Sequence, residues 1–266
     1  MLRFAAVAGL MLFLTPRPST LDSRPSIPRV ARDRLLDWPT APATTDTIQA
    51  GDPRIETSRL RPYSIERHLT ITRGDSSQSF GSQTESLAST SLHGHAALLG
   101  VVTFATPRAT TVDSSWLDAT TLAPIRMRST NAERVVDLEF SGQGVRTETT
   151  PSRGEASRLD QPLGVRPFEW NMFGLALSAM PLAPGFNAVM PVYSDRFARV
   201  VWYQVEVVQE TSLVRQSGYH SPMWEVVATP DSAGPSARFW ISRTHRFVDQ
   251  VRVWEPGVSI TYAREL

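Results

Sequence analysis

The chain contains no cysteine, which excludes disulfides, thiol nucleophiles, cysteine-ligated zinc and a lipid-modified N-terminal cysteine. It contains no lysine either: all 27 basic residues are arginine. Schiff-base chemistry, a phosphate-loop lysine and a Ser-Lys dyad are therefore ruled out whatever the fold. Long apolar runs are missing as well. The N-terminal stretch Phe4 to Leu14 is uncharged and apolar but too short to cross a bilayer as a helix.

Excess charge of one sign is also absent, with a formal net charge of +1. Residues 1–62 carry nine arginines against six acids, so residues 63–266 carry eighteen against twenty, and no basic footprint for nucleic acid is present. Hydrophobic residues at 41% and charged residues at 20% are ordinary for a globular chain, so most of it is expected to fold.

Arg3 followed by the apolar stretch to Leu14 and the break at Thr15-Pro16 has the layout of a secretory signal, expected over residues 1–20, although no small-x-small cleavage motif follows. The alternative is an uncleaved anchor. From Pro16 to Pro62 the chain holds eight of its twenty prolines and little apolar periodicity. Residues 21–62 are accordingly read as a Pro-rich linker, and residues 63–266 as a single antiparallel β domain. Export without a lipidated cysteine points to the periplasm.

After Pro62, period-two alternation broken by Gly, Pro, Asp and Ser predicts many antiparallel strands. Arg134 to Phe140 is the plainest case: Val136, Leu138 and Phe140 share one face, and Val135, Asp137 and Glu139 the other. Similar runs occur at Tyr63–Arg73, His95–Thr106, Thr110–Trp116, Ala123–Ser129 and Gly144–Thr150. They resume at Asn187–Tyr193, Phe197–Gln209, Met223–Thr229, Ala237–Ser242, Phe247–Trp254 and Val258–Arg264, the last pair joined by a tight turn at Glu255-Pro256-Gly257. One interruption, Pro167 to Met180, is bounded by proline and apolar around its circumference, so it is expected to be a helix buried on several sides. The fold class is mainly β: a large curved antiparallel sheet or open, half β-barrel, with one helix at about 167–180 covering its open side.

No nucleophile elbow, zinc-helix motif, dinucleotide-binding glycine pattern or calcium loop is found. His93-Gly94-His95 places two imidazoles together but offers no third ligand, so a polar hairpin is the better reading and no metal or cofactor is expected. Asp137 and Glu139 lie about 7 Å apart along a strand, where solvated charges belong. Seven tryptophans, at positions 38, 116, 170, 202, 224, 240 and 254, are the unusual local resource. Core packing accounts for most of them, and an aromatic wall for an apolar ligand is the functional alternative.

Three stretches carry a family resemblance: Asp113-Ser-Ser-Trp-Leu-Asp-Ala-Thr-Thr-Leu-Ala-Pro124; Ala179-Met-Pro-Leu-Ala-Pro-Gly185; and Phe239-Trp-Ile-Ser242 followed by Val248-Asp-Gln-Val-Arg252. They resemble an exported bacterial family with a domain of unknown function, associated with the fold of the lipoprotein carrier and receptor of the Lol pathway. The resemblance spans Tyr63 to Leu266. It implies an open, strongly curved antiparallel sheet whose apolar concave face is covered by helix and can shield acyl chains.

The leading expectation is thus a non-enzymatic periplasmic protein binding a lipid-like or other apolar ligand between sheet and helix. Phe168, Trp170, Phe173, Leu177, Met180, Trp202 and Trp240 are the candidate lining, with Arg199, Arg238 or Arg243 as partners for a phosphate headgroup. A structural or assembly protein working through an envelope protein partner is the second expectation, and would be favoured by a filled interior. A hydrolase whose site is gathered from distant strands comes third.

Overall fold

A computed structural model describes residues 46–142, 144–214, 220–232 and 234–264. The expected signal over 1–20, the first part of the expected linker and Trp38 lie outside the described residues. The strands are β1 (Tyr63–Arg73), β2 (Ser76–Leu92), β3 (His95–Ala105), β4 (Thr110–Asp118), β5 (Pro124–Thr130), β6 (Arg134–Phe140), β7 (Gly144–Pro151), β8 (Ser157–Pro162), β9 (Phe168–Glu169), β10 (Asn187–Ser194), β11 (Arg199–Val214), β12 (His220–Pro230), β13 (Ser236–Ser242), β14 (Val248–Glu255) and β15 (Val258–Ala263). One short helix, α1 (Phe173–Ser178), lies between β9 and β10.

All fifteen strands belong to one open sheet, in the spatial order β8-β7-β6-β5-β4-β3-β2-β1-β15-β14-β13-β12-β11-β10-β9. Two meanders are joined where β1 pairs antiparallel with β15, and among the described strands only the β9–β10 pair is parallel. Alternation works as expected in β6, where Val136 and Leu138 are buried. The Pro256-Gly257 turn between β14 and β15 is present, with Gly257 at φ +82°. β2 was not anticipated, because its Ser, Thr and Gln residues hide the pattern. It is held instead by long ladders to β1 and β3 on either side.

The sheet must curl. Fifteen strands laid flat at about 4.8 Å spacing would span roughly 65 Å. Yet β8 and β9, its two edges, are consecutive in the chain and separated only by residues 163–167, which reach about 20 Å at most. The edges therefore overlap rather than pair. Val192 of β10 and Val201 of β11 face the main core, while their neighbours Tyr193 and Val200 point the other way, into a second apolar cluster with Met127, Val136, Leu138 and Val145. β10 and β11 are sandwiched between α1 on one side and β5 to β7 on the other, and the Tyr193 ring meets Phe140 edge-on at 5.4 Å.

The expected helix at Pro167–Met180 is shorter than its apolar pattern implied. Phe168 and Glu169 pair with Val192 and Tyr193 as strand. Trp170–Met172 then form a 3₁₀ turn capped by the Glu169 side chain, and α1 supplies the remainder. The expected linker needs a larger correction. Its described part is a strap across the core: Ile48 N–H donates to Val189 O (2.9 Å), Gly51 to Thr121 O (2.8 Å) and Glu56 to Ala179 O (2.9 Å), and Ile48, Ala50, Ile55 and Leu60 are buried. Four apolar residues spaced irregularly among prolines show no period, because the strap has none. Ile48→Ala is expected to lower stability by about 2 to 5 kcal/mol in urea unfolding, the range for a buried large aliphatic residue, where a true linker position would change by less than about 0.5 kcal/mol.

Candidate functional site

The concave face of the sheet is the expected binding site, and the chain itself fills it. Phe173 lies against Tyr203 (ring centroids 5.5 Å) and edge-on to Phe239 (5.9 Å), while Trp170 stacks on Tyr203 at 5.3 Å. Two glycines let this plug sit deep. A Cβ on Gly100 would fall 2.2 Å from Met172 Sδ, and one on Gly174 would fall 2.8 Å from Val248 Cγ2. What remains is a void of about 60 Å³, bordered by Glu85, Phe104, Trp170, Leu175 and Tyr262. A water takes up about 30 Å³ of liquid, and an engineered cavity that admits benzene measures about 150 Å³, so no acyl chain fits beside the docked plug.

Of the seven expected lining residues, five converge here: Phe168, Phe173, Leu177 and Met180 are fully buried, and Trp170 is partly exposed at the rim of the void. The other two do not join them. Trp240 lies between the inward residues Phe239 and Ile241, so it projects from the opposite face, beside Arg238, Arg252 and Trp254. Trp202 lies between the inward Val201 and Tyr203 and also points away from the plug. Both were chosen as aromatic residues on strands, but alternation turns them from the plug: Trp240 to the outer face, and Trp202, 5% exposed, to the opposite side of β11. Trp224, by contrast, does belong to the core.

Two buried polar groups went unrecognised. Arg67 occupies an inward position of β1 in register with Ile65, Leu69 and Ile71, and has no exposed surface. Its Nη1 donates to Gln83 Oε1 (2.9 Å) and Glu85 Oε2 (2.7 Å), and its Nη2 to the Val248 carbonyl. Glu85 also accepts the Tyr63 hydroxyl. The second group lies under the plug. Ser115 Oγ donates to Glu169 Oε2 (2.8 Å), Asn171 N–H to Glu169 Oε1 (2.8 Å), and Asn171 Nδ2 to Asp113 Oδ2 (3.3 Å). A legible signal existed for Arg67, which shares the parity of Ile65, Leu69 and Ile71, but not for the residues of β2 and β4, where the sequence shows no consistent apolar parity. Asp113 and Ser115 fall on the buried parity of β4 with Leu117, and Gln83 and Glu85 on that of Leu87 in β2, which only the structure reveals.

Burial pushes the Asp113 carboxyl up to about 7 and the Glu169 carboxyl up to about 8. Hydrogen bonds from Ser129 to Asp113, and from Asn171 and Ser115 to Glu169, pull in the opposite direction; the nearby Asp195 carboxylate raises both. Such values suit acid–base chemistry, but Asp113 is 0% and Glu169 4% exposed, and no substrate reaches them while the plug is docked. Their consequence is for stability. Both carboxyls hold a proton in the folded chain over a pH range where the unfolded chain has released it. Their contribution is therefore complete below about pH 4 and is lost as pH rises toward 7 to 8. Melting temperature is expected to fall between pH 5 and pH 8, and Glu169→Gln, neutral at every pH, to flatten that fall and melt higher than the parent at pH 8 by calorimetry.

The remaining expected residues are dispersed. His93 and Gly94 form the β2–β3 hairpin turn, with φ of +51° and +82°, and among the described residues no group of His, Asp and Glu is arranged to hold a metal ion. Asp137 pairs with Arg126 (2.6 Å) and Glu139 with Arg146 (3.5 Å), as solvated cross-strand charges. Arg238 pairs with Glu225 on the outer face (2.7 Å), Arg199 lies near the Phe197 ring, and Arg243 lies in the β13–β14 loop. No described helix is long and apolar enough to cross a membrane.

No curated protein matches the chain. A family model does, over residues 62–256, beginning just before β1 and ending after β14. That match takes in β1 to β14, the plug and both buried polar groups, and on it the chain belongs to the DUF3108 family of proteins of unknown function.

Proposed function

We propose that this chain is a non-enzymatic, exported protein of the cell envelope that acts at its outer surface, with the interior of the curved sheet serving as a closed core. The observation that carries this reading is the occupied concave face: α1 and the strap leave a void of only about 60 Å³. Export is supported by Arg3 and the apolar stretch Phe4 to Leu14. A non-enzymatic role is supported by the sealing of Asp113 and Glu169 beneath the plug. A surface role suits a partner protein or a polar ligand better than an acyl chain.

A second reading, carriage of an apolar ligand after the plug swings out, is favoured by one feature. The plug is only six helical residues long, and Trp170 at its edge is partly exposed while stacked on Tyr203. Native mass spectrometry with organic extraction, on exported protein purified without detergent, separates the two. A clean apo mass with no uptake of offered phosphatidylglycerol supports the closed-core reading; a reproducible co-purifying lipid that is lost in Trp170→Ala establishes carriage instead. Under the closed-core reading Phe173→Ala acts on stability alone, with an expected loss of about 3 to 5 kcal/mol in urea unfolding.

A further inference from the structure

The β13–β14 loop and the approach to β1 meet in a groove of about 500 Å³ that gathers Arg59, Arg61, Arg243, His245, Arg246 and Phe247 from positions nearly two hundred residues apart. Two of the four guanidiniums have carboxylate partners, Arg59 with Glu56 and Arg243 with Glu210. The other two rest on backbone carbonyls alone: Arg61 donates to Leu60 O (2.9 Å) and Ser58 O, and Arg246 to Met180 O (3.2 Å). A carbonyl fixes a guanidinium without cancelling its charge. Several arginines elsewhere on the surface are neutralised in place, as in Arg126–Asp137, Arg146–Asp160 and Arg238–Glu225.

Like charges gathered this way repel. Partial burial draws the Arg246 guanidinium below its ordinary value, as do the Arg59 and Arg243 cations, against the opposing Glu56 carboxylate. The arrangement persists because each side chain is held from behind. Arg243 lies over the Trp224 ring at 4.5 Å, Arg246 is tied to the chain leaving α1, and Arg61 is tied to its own turn. Donors already held in place lose little freedom on binding an anion. Guanidiniums match tetrahedral oxyanions through paired N–H donors, which sets phosphate above a lone carboxylate as the complement to several of them. Phe247, stacked with His245 at 6.1 Å and near Tyr63 at 5.9 Å, adds an apolar wall beside the cations.

We propose that this groove is a binding site for a phosphate group carried on an organic ester, with Arg61 and Arg246 as its principal donors, Arg243 and Arg59 as flanking charge, and Phe247 against the organic part. The site extends the surface reading above by naming a ligand class, but it does not depend on the core being closed.

The test uses the full chain with two probes: glycerol 3-phosphate by isothermal titration, and vesicles of phosphatidylglycerol against phosphatidylcholine by co-sedimentation. The Arg61→Gln/Arg243→Gln variant removes one carbonyl-held and one flanking cation from exposed positions, and Arg73→Gln/Arg153→Gln, at two exposed positions outside the groove, controls for the loss of two charges. Melting curves establish that both variants fold. Saturable binding to either probe that weakens roughly tenfold or more in the groove variant, consistent with the loss of charge-assisted hydrogen bonds, and is unchanged in Arg73→Gln/Arg153→Gln, supports the site. Binding of the soluble ester then marks a free phosphoester ligand, and binding to the anionic vesicles alone marks a lipid headgroup. Absence of saturable binding to both probes, or equal weakening in the two folded variants, overturns the proposal. The lipid-extraction result for the core reads independently of either outcome.

Discussion

A sheet of fifteen strands has one large apolar face to bury, and the described residues offer a single six-residue α-helix with which to cover it. Curling resolves the mismatch. Because residues 163–167 must connect opposite edges of the sheet, the edges are drawn past each other, and β10 and β11 end up buried on both faces. They cover part of the concavity that helices would otherwise have to fill. The strap from Ile48 to Leu60 closes another part, and α1 only the centre. The plug is small because the sheet covers so much of itself.

That economy places polar groups in awkward positions. Asp113, Ser115 and Glu169 lie where the plug meets the inner face of the sheet, and Arg67 lies where β1 faces the backbone of β14. Each takes a partner from outside its neighbouring strands, Asn171 of the plug, Glu169 from the far edge of the sheet or the carbonyl of Val248, while Arg67 Nε and Asp113 Oδ1 are left without one. Taking one partner away from a buried charged pair costs more than the pair contributes, so these contacts specify the curl more than they strengthen it. Docking of the plug and protonation of the two carboxyls are coupled for the same reason, since an ionised Glu169 under α1 has no cation to meet it.

Outside the core, the all-arginine composition has a distinct effect. Several surface arginines, among them Arg126, Arg146 and Arg238, lie across a strand from an acid and pair with it. The groove beside β1 departs from this pattern: its cations come from two loops, and two of them are oriented by carbonyl oxygens instead of carboxylates. A closed core and a locally uncompensated surface together move attention from the concave face to the rim.

Much of the architecture was legible in the sequence. Period-two patterning located most of the strands, since alternation is a local property of a sheet with one dry face, and proline-bounded apolar density located the plug. Where alternation carried no apolar contrast, as in the serine-rich β2, or no period at all, as in the strap, nothing local marked the element. The candidate site was only half legible. Phe168, Trp170, Phe173, Leu177 and Met180 are close in the chain and stay close in space, whereas Trp202 and Trp240 were chosen without regard to parity and point away from the plug. The sequence by itself determined strand identity, the place of the plug and the excluded lysine and cysteine chemistries, because each follows from residues within one element. Only the tertiary structure decided that the concavity is filled, that Asp113 meets Glu169 beneath α1, and that Arg61 and Arg246 share a groove. Those facts depend on how far the sheet curls, and the curl is set by the pairing of β1 with β15 and by the short reach between β8 and β9, which no local pattern encodes.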